Sequence, residues 1–257
     1  MLDWLQSDPW GFLQFMLYRA PAVLLAITMH ELAHGFAALK SGDTTARDMG
    51  RLSLNPLRHL DLLGTISLFL LGVGWAKPVP VNPNRFRNRR WNDLLVSLAG
   101  VATNFALFLL GTLLAVLVGR FLYHSEALSF FGPSFFLSFQ EKGFIMQLYP
   151  EFAEALSPMI KSPALLHVQR FLFQLAMINL GMGLFNLLPI PPLDGFHVVN
   201  DIIFKGKLNI AGKAFRIAQL ALIILLLTTN FIGNWITQAI YAVQGFIFPL
   251  FLAIFPL

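Results

Sequence analysis

Long stretches without a single charged side chain restrict this sequence more than any motif in it. No Asp, Glu, Lys or Arg occurs in 62–76, 94–119, 171–193 or 217–257, and between Pro9 and His30 the only charge is Arg19. A charged residue at the middle of a bilayer costs about 2.5–3.5 kcal/mol on insertion scales, and a helix needs about 20 apolar residues to cross. Charged residues make up 12% of the chain and hydrophobic ones 56%, where a soluble domain carries about 25% charged. A water-soluble globule is thereby excluded. The expectation is an all-α polytopic membrane protein, a single integral membrane domain over 1–257, with about five to six transmembrane helices. Spans are predicted near 11–40, 92–121, 167–189, 212–230 and 235–255. The last two share one uncharged gap, which the polar stretch from Thr228-Thr229-Asn230 to Gly233-Asn234 divides.

The run Leu62–Ala76 is too short for an ordinary crossing, contains Gly64, Gly72 and Gly74, and is followed by Lys77-Pro78-Val79-Pro80. Irregular backbone at membrane depth survives only when buried in protein or lining a wet cavity. A re-entrant or β-hairpin segment is therefore predicted near residues 60–83, with a short crossing as the alternative.

The basic residues give an independent topology. Of 18, nine (Lys40, Arg47, Arg51, Arg58, Lys77, Arg85, Arg87, Arg89, Arg90) lie between the first and second predicted spans, and Lys205, Lys207, Lys213 and Arg216 follow the third. Lys and Arg accumulate on the cytoplasmic side, which predicts an outside N-terminus, cytoplasmic basic segments and an outside 122–166 connection. The basic segments should also attract anionic headgroups of the lipid bilayer. No basic residue precedes the first span to mark a cleaved signal peptide. The sequence pI of about 9.7 needs no nucleic-acid partner, since membrane topology accounts for it. The chain has no cysteine, so disulfides, iron–sulfur clusters and thiolate catalysis are excluded, and any metal must be held by His, Asp or Glu.

Chemistry concentrates in His30-Glu31-Leu32-Ala33-His34, which matches H-E-x-x-H inside a helical apolar run. Residues four apart lie on one helix face about 6 Å apart, so both imidazoles can reach one metal while Glu31 faces a water on it. Zinc acidifies such a water, and the carboxylate takes its proton as it attacks a carbonyl. Two His and a Glu at membrane depth are expensive unless they pair, bind an ion or meet water. A catalytic zinc usually takes three protein ligands, and Asp194 is the candidate third. It lies in Asn186-Leu187-Leu188-Pro189-Ile190-Pro191-Pro192-Leu193-Asp194-Gly195, where the prolines forbid regular helix. The charge-derived topology puts this segment and the end of the first span on the same side. Asp194 could equally be a turn residue before Gly195. Asn186 and Asn104 are amides in apolar runs, either interhelical glue or substrate-binding groups, Asn186 being the better placed to hold an unwound substrate backbone. His59, His197, Asp61 and Asp201 are runner-up ligands; His124 and His167 fall at the opposite face.

The pair of motifs resembles the site-2 protease family of intramembrane zinc metalloproteases, in its bacterial form without a PDZ domain. The family's helical HExxH and downstream N-x-x-P-x-P-x-L-D-G are met at His30, Glu31, His34, Asn186, Pro189, Pro191, Leu193, Asp194 and Gly195. Further similarity lies in 50–56 (Gly-Arg-Leu-Ser-Leu-Asn-Pro), in 74–83 (Gly-Trp-Ala-Lys-Pro-Val-Pro-Val-Asn-Pro) and in Leu98-Ala99-Gly100. The resemblance implies one Zn2+ per chain on His30, His34 and Asp194, Glu31 as general base, and hydrolysis of peptide bonds in or near the transmembrane segment of a single-pass membrane protein, as in regulated intramembrane proteolysis. It also implies a bacterial inner membrane, while the basic-residue topology puts the site toward the cytoplasm. Gly100 and Asn104 fit the family's G-x-x-x-N helix motif, with Val101 where many bacterial members carry Pro. The segment 75–82 falls where the family is thought to have a β-hairpin receiving an extended substrate. Phe130, Phe131, Phe135 and Phe136, with Glu151 and Glu154, suggest an interfacial cover within 122–166. Two other classes fit parts of the pattern: an ion or metal transporter built on a Pro-broken helix, and an inactive homologue that only binds substrate.

Overall fold

In the computed structural model, residues 2–71, 74–149, 152–208 and 212–257 are described. Among them 76% of the chain is helical and no strand forms. The principal helices are α1 (Pro9–Lys40), α2 (Leu62–Leu71), α3 (Arg89–Leu122), α4 (Pro163–Asn186), α5 (Asp194–Ile202), α6 (Lys213–Thr228) and α7 (Phe231–Ile254). By length and composition α1, α3, α4 and α7 can each cross a membrane. α6 is apolar but shorter, and α2, with 10 residues, rises about 15 Å, half of the roughly 30 Å hydrocarbon core. The chain is thus an integral membrane protein with four helices of spanning length. The predicted break near 228–234 is narrower than expected: α6 ends at Thr228, α7 starts at Phe231, and Gly233 and Asn234 are already helical.

Residues 60–83 do not form the expected β-hairpin among the described residues. The run after Leu60 is helix α2, begun by Asp61, whose Oδ1 accepts from Gly64 N at 2.8 Å. An isolated antiparallel bridge joins Leu60 to Ala76, and Lys77 N donates to His59 O at 2.9 Å. The chain therefore leaves toward α2 and returns from it at one place. Gly72 lies outside the described residues.

Two compact units emerge, one of Leu24–Ala106 and Leu180–Ile236, the other of Leu2–Val23, Leu107–Asn179 and Thr237–Leu257. The first is organised around two apolar clusters. Ala38, Phe86 and Val96 pack with Ala37 and Val81, and Leu193, Leu222 and Ile232 pack with Phe185, Leu188 and Ile190. Beyond α1, the fully buried Asp43 caps this packing: its carboxylate accepts from Thr45 N and from Asn82 N, at 3.0 and 2.6 Å. Burial alone would push the Asp43 carboxyl up, yet the bonds from Thr45 and Asn82 hold it below the usual carboxylate range. With Arg51 Nη2 on Lys77 O at 2.8 Å and Arg87 N on Ser41 O at 3.1 Å, Asp43 pins the segment 77–87 against the end of α1.

The second unit holds aromatic and amide side chains. Trp4 packs on Phe12, Phe15 and Tyr149. A Cβ on Gly111 would sit 3.3 Å from Ala176, so α3 and α4 approach closely there. The 122–166 connection is not a loose loop. It forms short helices at Ser125–Phe131, Pro133–Leu137 and Lys142–Leu148, and buries Phe136 and Phe144 while leaving Phe130 exposed. Of the two acids noted there, Glu151 lies outside the described residues.

Candidate metal centre

His30 and His34 project from the same face of α1, one turn apart, as their spacing requires. Each ring is oriented from behind. Nδ1 of His34 lies 2.7 Å from the Val96 carbonyl oxygen, and Nδ1 of His30 lies 2.5 Å from Asn104 Oδ1, both acceptors on α3. A carbonyl oxygen can only accept, so His34 Nδ1 carries a proton and Nε2 of the neutral ring presents a lone pair. Asn104, fully buried, does the same for His30 with its amide oxygen turned to the ring.

Gly100 makes this approach possible, because a Cβ there would come within 2.4 Å of His34 Nε2 and 2.7 Å of His30 Cε1. One position of α3 without a side chain is what lets Val96 and Asn104 flank the imidazoles.

Asp194 comes from a different construction. α4 ends at Asn186, and Pro189, Pro191 and Pro192 keep the chain out of helix until α5 starts with Asp194 itself. A carboxylate in the first helical turn is favoured by the free N–H groups there. Gly195 permits the return, since a Cβ on it would lie 2.2 Å from Leu187 O and 2.6 Å from Leu188 O. The outcome is that Asp194 Oδ2 stands 3.3 Å from His30 Nε2 and 3.3 Å from His34 Nε2, while the two Nε2 atoms are 3.0 Å apart.

Three electron-pair donors therefore converge, and Asp194 Oδ2 has no hydrogen-bond partner although it is buried. Such an arrangement is repulsive unless a cation occupies its centre. Four-coordinate zinc with bonds of about 2.0–2.1 Å spaces its ligand atoms about 3.3 Å apart, which is the spacing observed. Among the described residues, His30, His34 and Asp194 are the group able to hold a metal ion. Glu31 is nearly buried next to His30, and its Oε2 accepts from Val79 N at 2.8 Å.

The other candidates are placed elsewhere. His59 is fully buried with Nε2 at 2.7 Å from Ser53 O, and Asp61 begins α2. His197 pairs with Asp93 at 3.6 Å, and that carboxylate raises its pKa against the effect of burial. Asp201 is buried nearby, its carboxyl pushed up to about 6 by burial and by Asp93. His124 precedes the Ser125–Phe131 helix, and His167 Nδ1 lies 2.6 Å from Tyr18 Oη. Asn186 is half-buried, with Nδ2 donating to Met182 O at 3.0 Å. Sequence reasoning missed three participants. The Val96 carbonyl and the Val79 N–H are backbone groups with no side-chain signal, and Asp43 looks like an ordinary loop acid until Asn82 meets it.

Helices long enough to span a bilayer and a two-histidine, one-carboxylate cluster beside a glutamate define a membrane metallohydrolase of the H-E-x-x-H kind. The chain belongs to Peptidase family M50, the site-2 proteases, with residues 18–229 matched. It is similar to the Bacillus subtilis (strain 168) protein named "Putative zinc metalloprotease YwhC", 33% identical over 95% of this chain and 94% of that one. It is also similar to "Putative zinc metalloprotease Rip2" of Mycolicibacterium smegmatis, 22% identical over 93% of this chain and 79% of that one. No solved structure matches. The chain is a zinc metalloprotease of site-2 type, integral to the membrane, with Zn2+ as its cofactor.

Proposed function

We propose that the chain is an intramembrane endopeptidase that cleaves single-pass membrane proteins in or near their transmembrane segment, as a step of regulated proteolysis. In this reading the metal ligands are His30, His34 and Asp194, the general base is Glu31, and residues 1–257 work as one protease domain. The observation that carries it is the convergence of three lone-pair donors at zinc spacing, beside a glutamate already held by the Val79 N–H. Helices α1, α3, α4 and α7 each contribute to both compact units, which supports the single domain.

Held by His30, His34 and Asp194, zinc would supply Lewis acidity toward a water and a scissile carbonyl. Glu31 takes the proton of the attacking water and passes it to the leaving amine. The Val79 N–H fixes one carboxylate oxygen and leaves the other for that proton. Asn104 and Val96 O act through the imidazoles: they set the tautomer and ring angle, so Asn104 is a positioning residue in this reading rather than a substrate contact. Asn186, the last residue of α4, with its side-chain oxygen unpaired among the described residues, is the group proposed to hold the substrate backbone.

The basic residues of 40–90 and 205–216 support a cytoplasmic site, an outside N-terminus and residence in a bacterial inner membrane. The pairing of Leu60 with Ala76 on either side of the short α2 supports re-entry of that segment from the cytoplasmic side. The test is cleavage of a bilayer-spanning substrate in proteoliposomes against the same segment as a soluble peptide. Cleavage of the spanning form, lost on chelation and restored by zinc, is expected. Equal cleavage of both forms would overturn the intramembrane assignment, and an inert wild type holding zinc would make the chain a substrate-binding homologue.

A further inference from the structure

Away from the metal centre, the second unit contains a pocket of about 370 Å3 lined by Arg120, His124, Ser125, Leu128, Ser129 and Lys161, among others. Tyr123 and Leu257, the last residue of the sequence with its main-chain carboxylate, complete the lining, and no acidic side chain is in it. Only four basic residues occur from Arg120 to Arg170, namely Arg120, Lys142, Lys161 and Arg170, and half of them meet here. Arg170 is spent on the Gln147 carbonyl oxygen. Arg120 and Lys161 have no side-chain partner among the described residues.

Their separation is built in. Arg120 lies in the last turn of α3, and Lys161 just precedes α4. The two chain segments are clamped by an antiparallel bridge between Tyr123 and Ile160. Lys161 N donates to Leu122 O at 2.7 Å, and His124 N to Met159 O at 3.0 Å. Tyr123, at the floor, is buried and donates its hydroxyl to Gln147 Oε1 at 2.7 Å.

Two exposed cations on clamped backbone, an imidazole and two hydroxyls around one open volume match a phosphate group: the cations supply charge and the hydroxyls supply donors to its oxygens. The setting selects the source. α3 and α4 are both of spanning length, so their adjoining ends lie at headgroup level, where Lys and Arg at helix ends snorkel. Phe121 and Phe130, next in sequence to the lining residues Arg120 and Ser129, are exposed, suited to the glycerol and acyl parts of an amphiphile. We infer that this pocket binds the phosphate of an anionic lipid headgroup at the end of α3 and α4 opposite Arg89 and Asn186. The site shares no residue with the metal centre.

Purified full-length chain in mild detergent tests this with labelled phosphatidylglycerol, labelled phosphatidylcholine and inorganic phosphate as separate probes. Saturable retention of phosphatidylglycerol but not phosphatidylcholine is expected. It should weaken roughly tenfold or more in Arg120→Gln/Lys161→Gln, given the contribution of each cation near a charged headgroup. It should persist in the charge-conserving Arg120→Lys/Lys161→Arg, with unchanged helical circular dichroism in both variants. Equal retention by wild type and the glutamine variant would overturn the site. Saturable binding of inorganic phosphate that needs Arg120 and Lys161, with no preference for phosphatidylglycerol, would overturn the lipid as source.

Discussion

The metal centre and the amide cluster of the second unit are two buried polar assemblies in one apolar chain, and they differ in what satisfies their polar atoms. Around Gln147 every donor of the amide finds an oxygen. Nε2 donates to Phe136 O at 2.8 Å and Gly143 O at 3.0 Å, Oε1 accepts from Tyr123, and the backbone oxygen accepts from Arg170 Nε at 2.7 Å. No atom of the Gln147 side chain is left over for a ligand. Around His30, His34 and Asp194 the outward nitrogens are satisfied, while the three inward atoms are all lone-pair donors. A buried polar group in a membrane protein is thus structural when its partners come from the chain, and functional when the chain supplies only one sign of partner.

That contrast breaks most visibly at the ligands. His34→Ala and Asp194→Ala are each expected to drop zinc from about one per chain to near none and to abolish cleavage, measured by elemental analysis of folded protein. Full zinc in Asp194→Ala would remove Asp194 from the ligand set. Glu31→Gln should sharpen the picture, keeping zinc while lowering the cleavage rate by about 10²–10⁴. Wild-type cleavage by that variant would leave the proton transfer to another group.

The supporting shell should show smaller effects. Asn104→Leu removes the acceptor behind His30 and is expected to weaken zinc about 10–100-fold, read by competition with a chelator. Gly100→Ala puts a methyl against His34 Nε2 and should act the same way. Gln147→Leu strands the Tyr123 hydroxyl and the Phe136 carbonyl, costing about 1–3 kcal/mol of stability in thermal unfolding, with zinc content unchanged. If Gln147→Leu lost zinc, the division between the two assemblies would fail.

The smallest expected effect is one of pH. Asp201 has its pKa raised to about 6 by burial and by Asp93, so the folded state binds more protons than the unfolded one between the ordinary carboxyl range and that value. Stability from this group is present at the acidic end and declines as pH rises through about 6. Asp201→Asn should flatten that decline in melting curves, and an unchanged slope would show that the carboxyl is solvated.

Much of this was legible in the residues. The charge-free gaps located every long helix, because the bilayer penalty on a charge acts through composition alone. The i, i+4 pair in α1 read as a ligand pair, because helix geometry turns spacing into proximity. Asp194 was legible as a candidate only, since its reach to His30 crosses some 160 positions and depends on where the prolines and Gly195 turn the chain. The 60–83 segment was legible only in outline. Its glycines and prolines read as a re-entrant or β-hairpin segment, and the described residues form the short helix α2 in place of a hairpin, with the return held by a bridge and by Arg51 and Asp43 instead of a strand ladder.

By itself the sequence determined that this chain lives in a membrane, that any metal must sit on His and carboxylate, and that His30 and His34 share one helical face with Glu31 next to them. These follow from transfer free energies, residue inventory and the helical repeat, which are local or additive. Only the tertiary structure decided that Asp194 completes the group at 3.3 Å from both imidazoles, that Val96 and Asn104 set the rings across the gap left by Gly100, and that a backbone N–H from Val79 holds Glu31. Those contacts join residues far apart in the chain, and two of them use backbone atoms that every residue carries, so no side chain announces them.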